Sequence, residues 1–280
     1  MERQSSFTNG KPTLFLVATP IGNLDDFTFR AIETLKNVDI IYAEDTRVSI
    51  HLLKHYNIIT PLACYHEFNK DSQGQVIINK LMEGKNVAII SDAGMPVISD
   101  PGYDIAKSAI DSGFNVVSIP GANALLSALI VSGIAPMPFT FYGFLDSKEQ
   151  KRKKELIELK DKKETLIFYE SPHRIEKSLQ DLYECLGDRQ IALVRELTKK
   201  FEEVIRGKIS DVMEIASTLK GEMVLIVDGN KNEKNFDHMT IIEHVNLYIK
   251  EGCKPNEAIK KVANDRGLPK QTVYKEYHDL

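Results

Sequence analysis

Three polar clusters carry the groups in this sequence that could do chemistry: Ala43-Glu44-Asp45-Thr46-Arg47, Tyr169-Glu170-Ser171-Pro172-His173-Arg174 and Arg195-Glu196-Leu197-Thr198-Lys199-Lys200. Each follows an apolar run and sets carboxylates beside cations. Taken singly, such a cluster reads as a helix N-cap with a local ion pair. Repeated after several strands, the clusters read as the polar wall of a site. Near them stand three loops rich in glycine and proline: Thr19 to Asn23, Ser91 to Gly102 and Ser118 to Asn123. Glycine lets backbone approach a ligand closely, and proline pre-sets a turn. Three such loops at strand ends can converge on one crevice, where an open α/β sheet holds a small ligand.

Several chemistries lose their support. No GxGxxG follows the first strand, and GxxxxGK[ST], GxSxG and HExxH are all absent. Dinucleotide, P-loop, esterase and zincin readings therefore fall away. Cys64, Cys185 and Cys253 are widely spaced and form no zinc-type cluster, which suggests a reducing compartment and no metal.

The elements that must position these residues follow from the apolar pattern. At about 150 residues per domain, 280 residues predict two domains. Apolar runs at Leu14 to Ala18, Val38 to Tyr42, Val87 to Ile90 and Asn115 to Ile119 read as buried strands. Helical periodicity appears from Thr28 to Leu35 and from Tyr103 to Asp111. Such alternation predicts an α/β domain with a largely parallel sheet. Further runs at Thr165 to Tyr169, Ile191 to Val194 and Met223 to Val227 suggest a second sheet. No charged residue occurs between Ser112 and Leu145, yet prolines and glycines leave only Ala124 to Ala135 as a helix, which suits a buried core element rather than a membrane span. The expected division is a loose tail at 1–12, α/β domains at 13–122 and 123–229, and a helical tail at 238–280, with Asn230 to Asp237 as linker.

The net charge is −4, so any polyanion partner must be met by a local patch. One candidate is Lys151 to Lys154 within the charged stretch Asp146 to Glu164. It reads either as a solvated helix with Leu156, Ile157 and Leu159 inward, or as an RNA-facing stripe. Another is the C-terminal segment, where Pro255 to Arg266, a Gly267-Leu268-Pro269 break and Lys270 to Tyr277 resemble a helix-turn-helix carrying Lys270 and Lys275.

Four stretches make a resemblance: Leu14 through Leu24 (LFLVATPIGNL), Ala43 through Arg47, Ser91 through Gly102 (SDAGMPVISDPG) and Tyr169 through Arg174. In order and spacing they resemble the ribosomal small subunit methyltransferase I family of the tetrapyrrole-methylase superfamily. That resemblance implies two α/β domains with S-adenosylmethionine in the cleft between them, and a homodimer. It implies methylation of a cytidine 2′-hydroxyl in small-subunit ribosomal RNA at the decoding centre, in the cytoplasm. Carried over by position, the cofactor residues are Pro20, Ile21, Asp92, Gly94, Met95, Ile98, Gly121, Ala122, Asn123, Tyr142, Gly143, Glu170, Glu196 and Met223, with Glu222 at the edge.

Methyl transfer is an in-line displacement that mainly requires alignment and exclusion of water. A ribose hydroxyl is a poor nucleophile, so Glu44 or Asp45 is expected to take or orient its proton. Arg47, Arg174 and Lys199 are expected at phosphates, with Lys151, Arg152, Lys270 and Lys275 on the RNA-facing surface and binding that weakens as salt rises. Two other readings share the sequence features: a methylase of a small tetrapyrrole or corrinoid, and a helix-turn-helix regulator whose large domain only senses a ligand.

Overall fold

The computed structural model of the chain describes residues 3–98, 102–231, 236 and 239–278. Ser99, Asp100 and Pro101 of one glycine-rich loop, and most of the stretch read as a linker, lie outside the described residues. The chain divides into two compact units, Met1–Asn230 and Lys231–Leu280.

The first half of the larger unit runs β1 (Thr13–Val17), α1 (Phe29–Asn37), β2 (Ile40–Ala43), α2 (Thr46–His55), β3 (Leu62–Cys64), α3 (Lys70–Met82), β4 (Val87–Ile90), α4 (Tyr103–Asp111) and β5 (Asn115–Ile119). The strands are all parallel, in the order β3-β2-β4-β1-β5. Both faces are covered, which is why these strands appear as unbroken apolar runs. Ala88 and Ile90 pack with Ala31, Leu35 and Leu53 under α1 and α2, while Val87 and Ile89 pack with Ile77, Leu81 and Ile105 under α3 and α4. The chain leaves β1 towards one face and β4 towards the other. Their carboxyl ends therefore flank the topological switch point, where such sheets open a crevice.

The second half comprises α5 (Ala124–Ser132), β6 (Phe139–Phe144), α6 (Glu149–Leu159), β7 (Thr165–Glu170), α7 (Ile175–Leu186), β8 (Gln190–Arg195), β9 (Glu203–Lys208), α8 (Ile209–Ile215) and β10 (Met223–Val227). Its sheet has the order β6-β7-β10-β8-β9, parallel only between β6 and β7. Helix α5 covers one face through Leu125, Ala128 and Leu129; α6, α7 and α8 cover the other through Leu156, Leu179 and Val212.

Two expectations need correction. The basic run on α6 is not one exposed stripe: Arg152 shares the inward stripe with Leu156 and Leu159 and is 3% exposed, while Lys151, Lys154 and Ile157 face out. Its guanidinium places Nε and Nη2 each 2.6 Å from Asp181 Oδ2, and Nη1 donates to the carbonyls of Asp146 and Ser147. Neighbouring Lys153 is held by Glu149, Asp181 and Glu184. Residues 3–12 of the expected loose tail are anchored on β5. The Gln4 side chain bonds the backbone of Val116 at both its polar groups, and Asn9 pairs with Asn115.

The smaller unit holds α9 (Ile241–Lys250), α10 (Pro255–Asp265) and α11 (Lys270–His278) around Val245, Ile259, Val262 and Val273. Thr240 and Glu243 close a capping box at the start of α9. Lys270 and Lys275 are exposed on α11. No helix among the described residues is long and apolar enough to cross a membrane.

Removing one partner of a buried ion pair strands the other charge. Asp181→Ala is therefore expected to cost about 3–5 kcal/mol in chemical denaturation. Arg152→Met with Asp181→Leu together should recover most of that loss.

Candidate active site

The site is built where β1 and β4 end side by side. The Thr19 N–H donates to the Gly94 carbonyl at 2.9 Å, and the Gly94 N–H returns a bond to Thr19 at 3.1 Å. The Thr19 hydroxyl donates to the Ser91 carbonyl and the Ser91 hydroxyl to that of Gly94, so the two loops are pinned together. The β5 loop closes on them at Gly121, where a Cβ would stand 2.8 Å from Ala18 Cβ. Only glycine permits that approach.

Above these loops lies a cavity of about 440 Å3. The first half contributes Ile21, Glu44, Asp92, Ala93, Gly94, Met95 and Ile98 to its walls; the second contributes Asn123, Ala124, Phe144, Tyr169 to Pro172, Val194, Leu197 and Glu222 to Val224. Ile21, Glu44, Asp92, Gly94, Met95, Ile98, Asn123, Glu170 and Met223, all singled out from the sequence, are thus brought together. Gly121 and Ala122 line an adjoining hollow, again with Ile21. Pro20 is buried behind the cavity.

Other candidates stand elsewhere. Tyr142 and Gly143 do not line the cavity, because a bulge in β6 between Phe141 and Gly143 advances Phe144 to that position. Phe144 and Phe141 both meet the Tyr169 ring, at 5.5 and 4.9 Å. Asp45 caps α2, accepting from the Arg47 N–H at 2.8 Å and pairing with its guanidinium at 2.6 Å. Arg47 itself projects into solvent. Arg174 donates to the Leu145 carbonyl at 2.6 Å and stands 3.4 Å from Glu170, so it braces the turn after β7. Buried Glu170 accepts from the Ser171 N–H and the Ser178 hydroxyl. Lys199 is already paired with Glu196 at 3.0 Å and Glu222 at 2.9 Å. Leu197 lies inside the third polar cluster without having been singled out, and no motif marks Phe144.

Electrostatics separate the two adjacent acids. Hydrogen bonds from Arg47 hold the Asp45 carboxyl down to about 2. Burial, reinforced by the Asp92 charge, pushes Glu44 above the usual carboxylate range. Burial also raises Asp92, whose Oδ1 accepts from the Asp45 N–H. Glu44 is therefore a stronger base than an ordinary glutamate, and Asp45 a poorer one than an ordinary aspartate.

The fold and cleft define a two-sheet α/β protein with a small-ligand site at its switch point. Residues 13–213 match the family model of Tetrapyrrole (Corrin/Porphyrin) Methylases. Ribosomal RNA small subunit methyltransferase I of Bacillus subtilis is 54% identical over 289 residues, covering 99% of each chain. The protein of the same name from Haemophilus influenzae is 42% identical over 93% of this chain and 94% of its own. Among solved structures, uroporphyrin-III-C-methyltransferase from Thermus thermophilus superposes with a TM-score of 0.57 at 18% identity, over 78% of this chain and 94% of that one. Cobalt precorrin-4 methyltransferase gives 0.59 at 16% identity, over 77% and 94%. The chain belongs to the tetrapyrrole methylase family, on its ribosomal RNA small subunit methyltransferase I branch.

The two acids should respond to replacement with opposite sign. Asp45 has a depressed folded-state pKa, so its contribution is full above the unfolded value near 3.8 and disappears as pH falls through about 2. Asp45→Ala should lower the melting temperature at pH 7, with the gap to wild type narrowing between pH 4 and 2. Glu44→Gln removes a charge that burial disfavours and should raise it.

Proposed function

We propose that the chain transfers a methyl group from S-adenosylmethionine to the 2′-hydroxyl of a cytidine in small-subunit ribosomal RNA at the decoding centre, in the cytoplasm. The observation that carries this reading is the near end-to-end likeness to ribosomal RNA small subunit methyltransferase I, 54% over 289 residues. The cavity supports it. Its volume lies in the range of small-ligand sites. Ile21, Met95, Leu197, Met223, Phe144 and Tyr169 offer apolar and aromatic wall to an adenosine, and the carboxylates of Asp92 and Glu222 suit a cationic ligand.

S-adenosylmethionine, when bound, supplies a methyl group activated on a sulfonium and leaves as the neutral thioether. The chain's own residues do the rest. Glu44 is placed to take the proton of the acceptor 2′-hydroxyl, which would free that oxygen to bond the methyl group. The apolar wall excludes water, which would otherwise compete as acceptor. Glu196 and Glu222 keep Lys199 charged against the effect of burial, so its ammonium serves as a fixed cation at the rim. In the smaller unit, Lys270 and Lys275 are the cations offered to RNA phosphates by a helix-turn-helix. The homodimer would cover the outer face of α5, where Leu126, Ile130 and Val131 are exposed on a helix that has no polar side.

Labelled methyl transfer to small subunits lacking the modification, followed by nucleoside analysis, should yield 2′-O-methylcytidine; a different methylated nucleoside would refute the assignment. Glu44→Gln should lower kcat a hundredfold or more while cofactor affinity holds. Because Glu44 must be ionised, wild-type kcat/KM should rise with pH through a value above 4.5. Ile130→Glu should turn a dimer into a monomer in sedimentation.

A further inference from the structure

A second hollow, of about 470 Å3, adjoins the cofactor cavity. The two share Ile21, and the partition is thin: a Cβ on Gly94, in the first cavity, would stand 3.3 Å from Ile21 Cγ2 and 3.7 Å from the carbonyl of Ala122, in the second. Its walls are mostly small or apolar, with hydroxyls from Thr28 and Ser127 and one ionisable group, Asp26. Asp26 is exposed and near no cation in any ion pair among the described residues. A carboxylate beside a polyanion repels phosphate. What it suits is a neutral N–H donor, and aspartate accepts well from the exocyclic amine of cytosine.

The third observation is strain. Thr198 has φ 66°, rare for a β-branched residue, and Glu196 two positions earlier has φ 52°. The loop is held in that shape by Lys199 between Glu196 and Glu222, and by the Thr198 N–H on Glu202 at 2.6 Å. Thr198 lines the second hollow, while its Oγ1 is itself buried. Strain over-determined by its surroundings marks functional positions. Leu197, the residue before Thr198, lines the first cavity, so one loop serves both.

We propose that the second hollow is the acceptor-base subsite: it takes the base of a splayed, single-stranded cytidine, with the exocyclic amine on Asp26. This deepens the methyl-transfer reading above and rests on it for the presence of an acceptor RNA. A base flipped out of its stack is read by such edge contacts in a fitted pocket.

The test uses the full chain saturated with S-adenosylhomocysteine. Saturation-transfer NMR with cytidine and uridine monophosphates reads the subsite; methyl transfer to small subunits reads turnover. Cytidine monophosphate should give the stronger signal. Ser127→Leu, which fills the hollow from α5, should abolish that signal and cut transfer more than tenfold, with S-adenosylhomocysteine affinity within twofold of wild type. The surface variant Asp26→Asn should equalise the two nucleotides. Equal signals for the two nucleotides in wild type, no signal for either, or an undiminished signal in Ser127→Leu would overturn the proposal. Loss of S-adenosylhomocysteine affinity in Ser127→Leu would do the same by assigning the hollow to the cofactor. If wild type binds cytidine monophosphate as expected but methylates no ribosomal RNA, the subsite stands and the ribosomal reading falls.

Discussion

The pair of backbone hydrogen bonds between Thr19 and Gly94 is the constraint on which the site depends. Beyond the ends of β1 and β4 the sheet has no further ladder to order the chain. One antiparallel bridge, with the Thr19 and Ser91 hydroxyls bonding carbonyls beside it, ties two loops that would otherwise move independently. Ile21 and Met95, each close in sequence to this knot, line the same cavity. Such satisfied polar networks at a strand terminus cost little entropy when the strands beneath are already fixed by a core packed on both faces.

The same logic of holding polar groups against one another recurs in the second half. Arg152 and Asp181 form the polar seam between α6 and α7, and Glu170 with Ser178 joins β7 to α7. The cavity's second wall is thus carried by elements whose faces are locked to the core behind them, as a preorganised site requires.

Legibility followed burial. β4, α4, β5 and β10 have the bounds that their apolar pattern predicts, because strands covered on both faces leave no polar residue to blur the run. Edge strand β9 was invisible, since Glu203 to Lys208 alternates charge with half-buried residues, and β3 is only three residues long. Helices α2 and α3 begin in loops whose polar residues look alike whether they cap or catalyse. Asp45 shows the difficulty: a helix cap and a general base are the same residue type, and only its bond to Arg47 separates them. Arg152 was misjudged because its three basic neighbours suggested an exposed face, whereas its phase on α6 turns it inward. The glycine and proline loops were readable as a site because they interrupt apolar strands at one end. Leu197 enters the wall through a strained loop, which no spacing announces.

The bulge in β6 sets which residues of this chain can be lost or exchanged without moving the cavity wall. A strand alternates its faces residue by residue, so the extra residue between Phe141 and Gly143 resets the phase and lets both phenylalanines meet one tyrosine. Substitutions along β6 leave that phase untouched. Loss of a single residue there would restore simple alternation and turn Phe144 away from the cavity. The length of this strand therefore constrains the site as much as the side chain at Phe144 does.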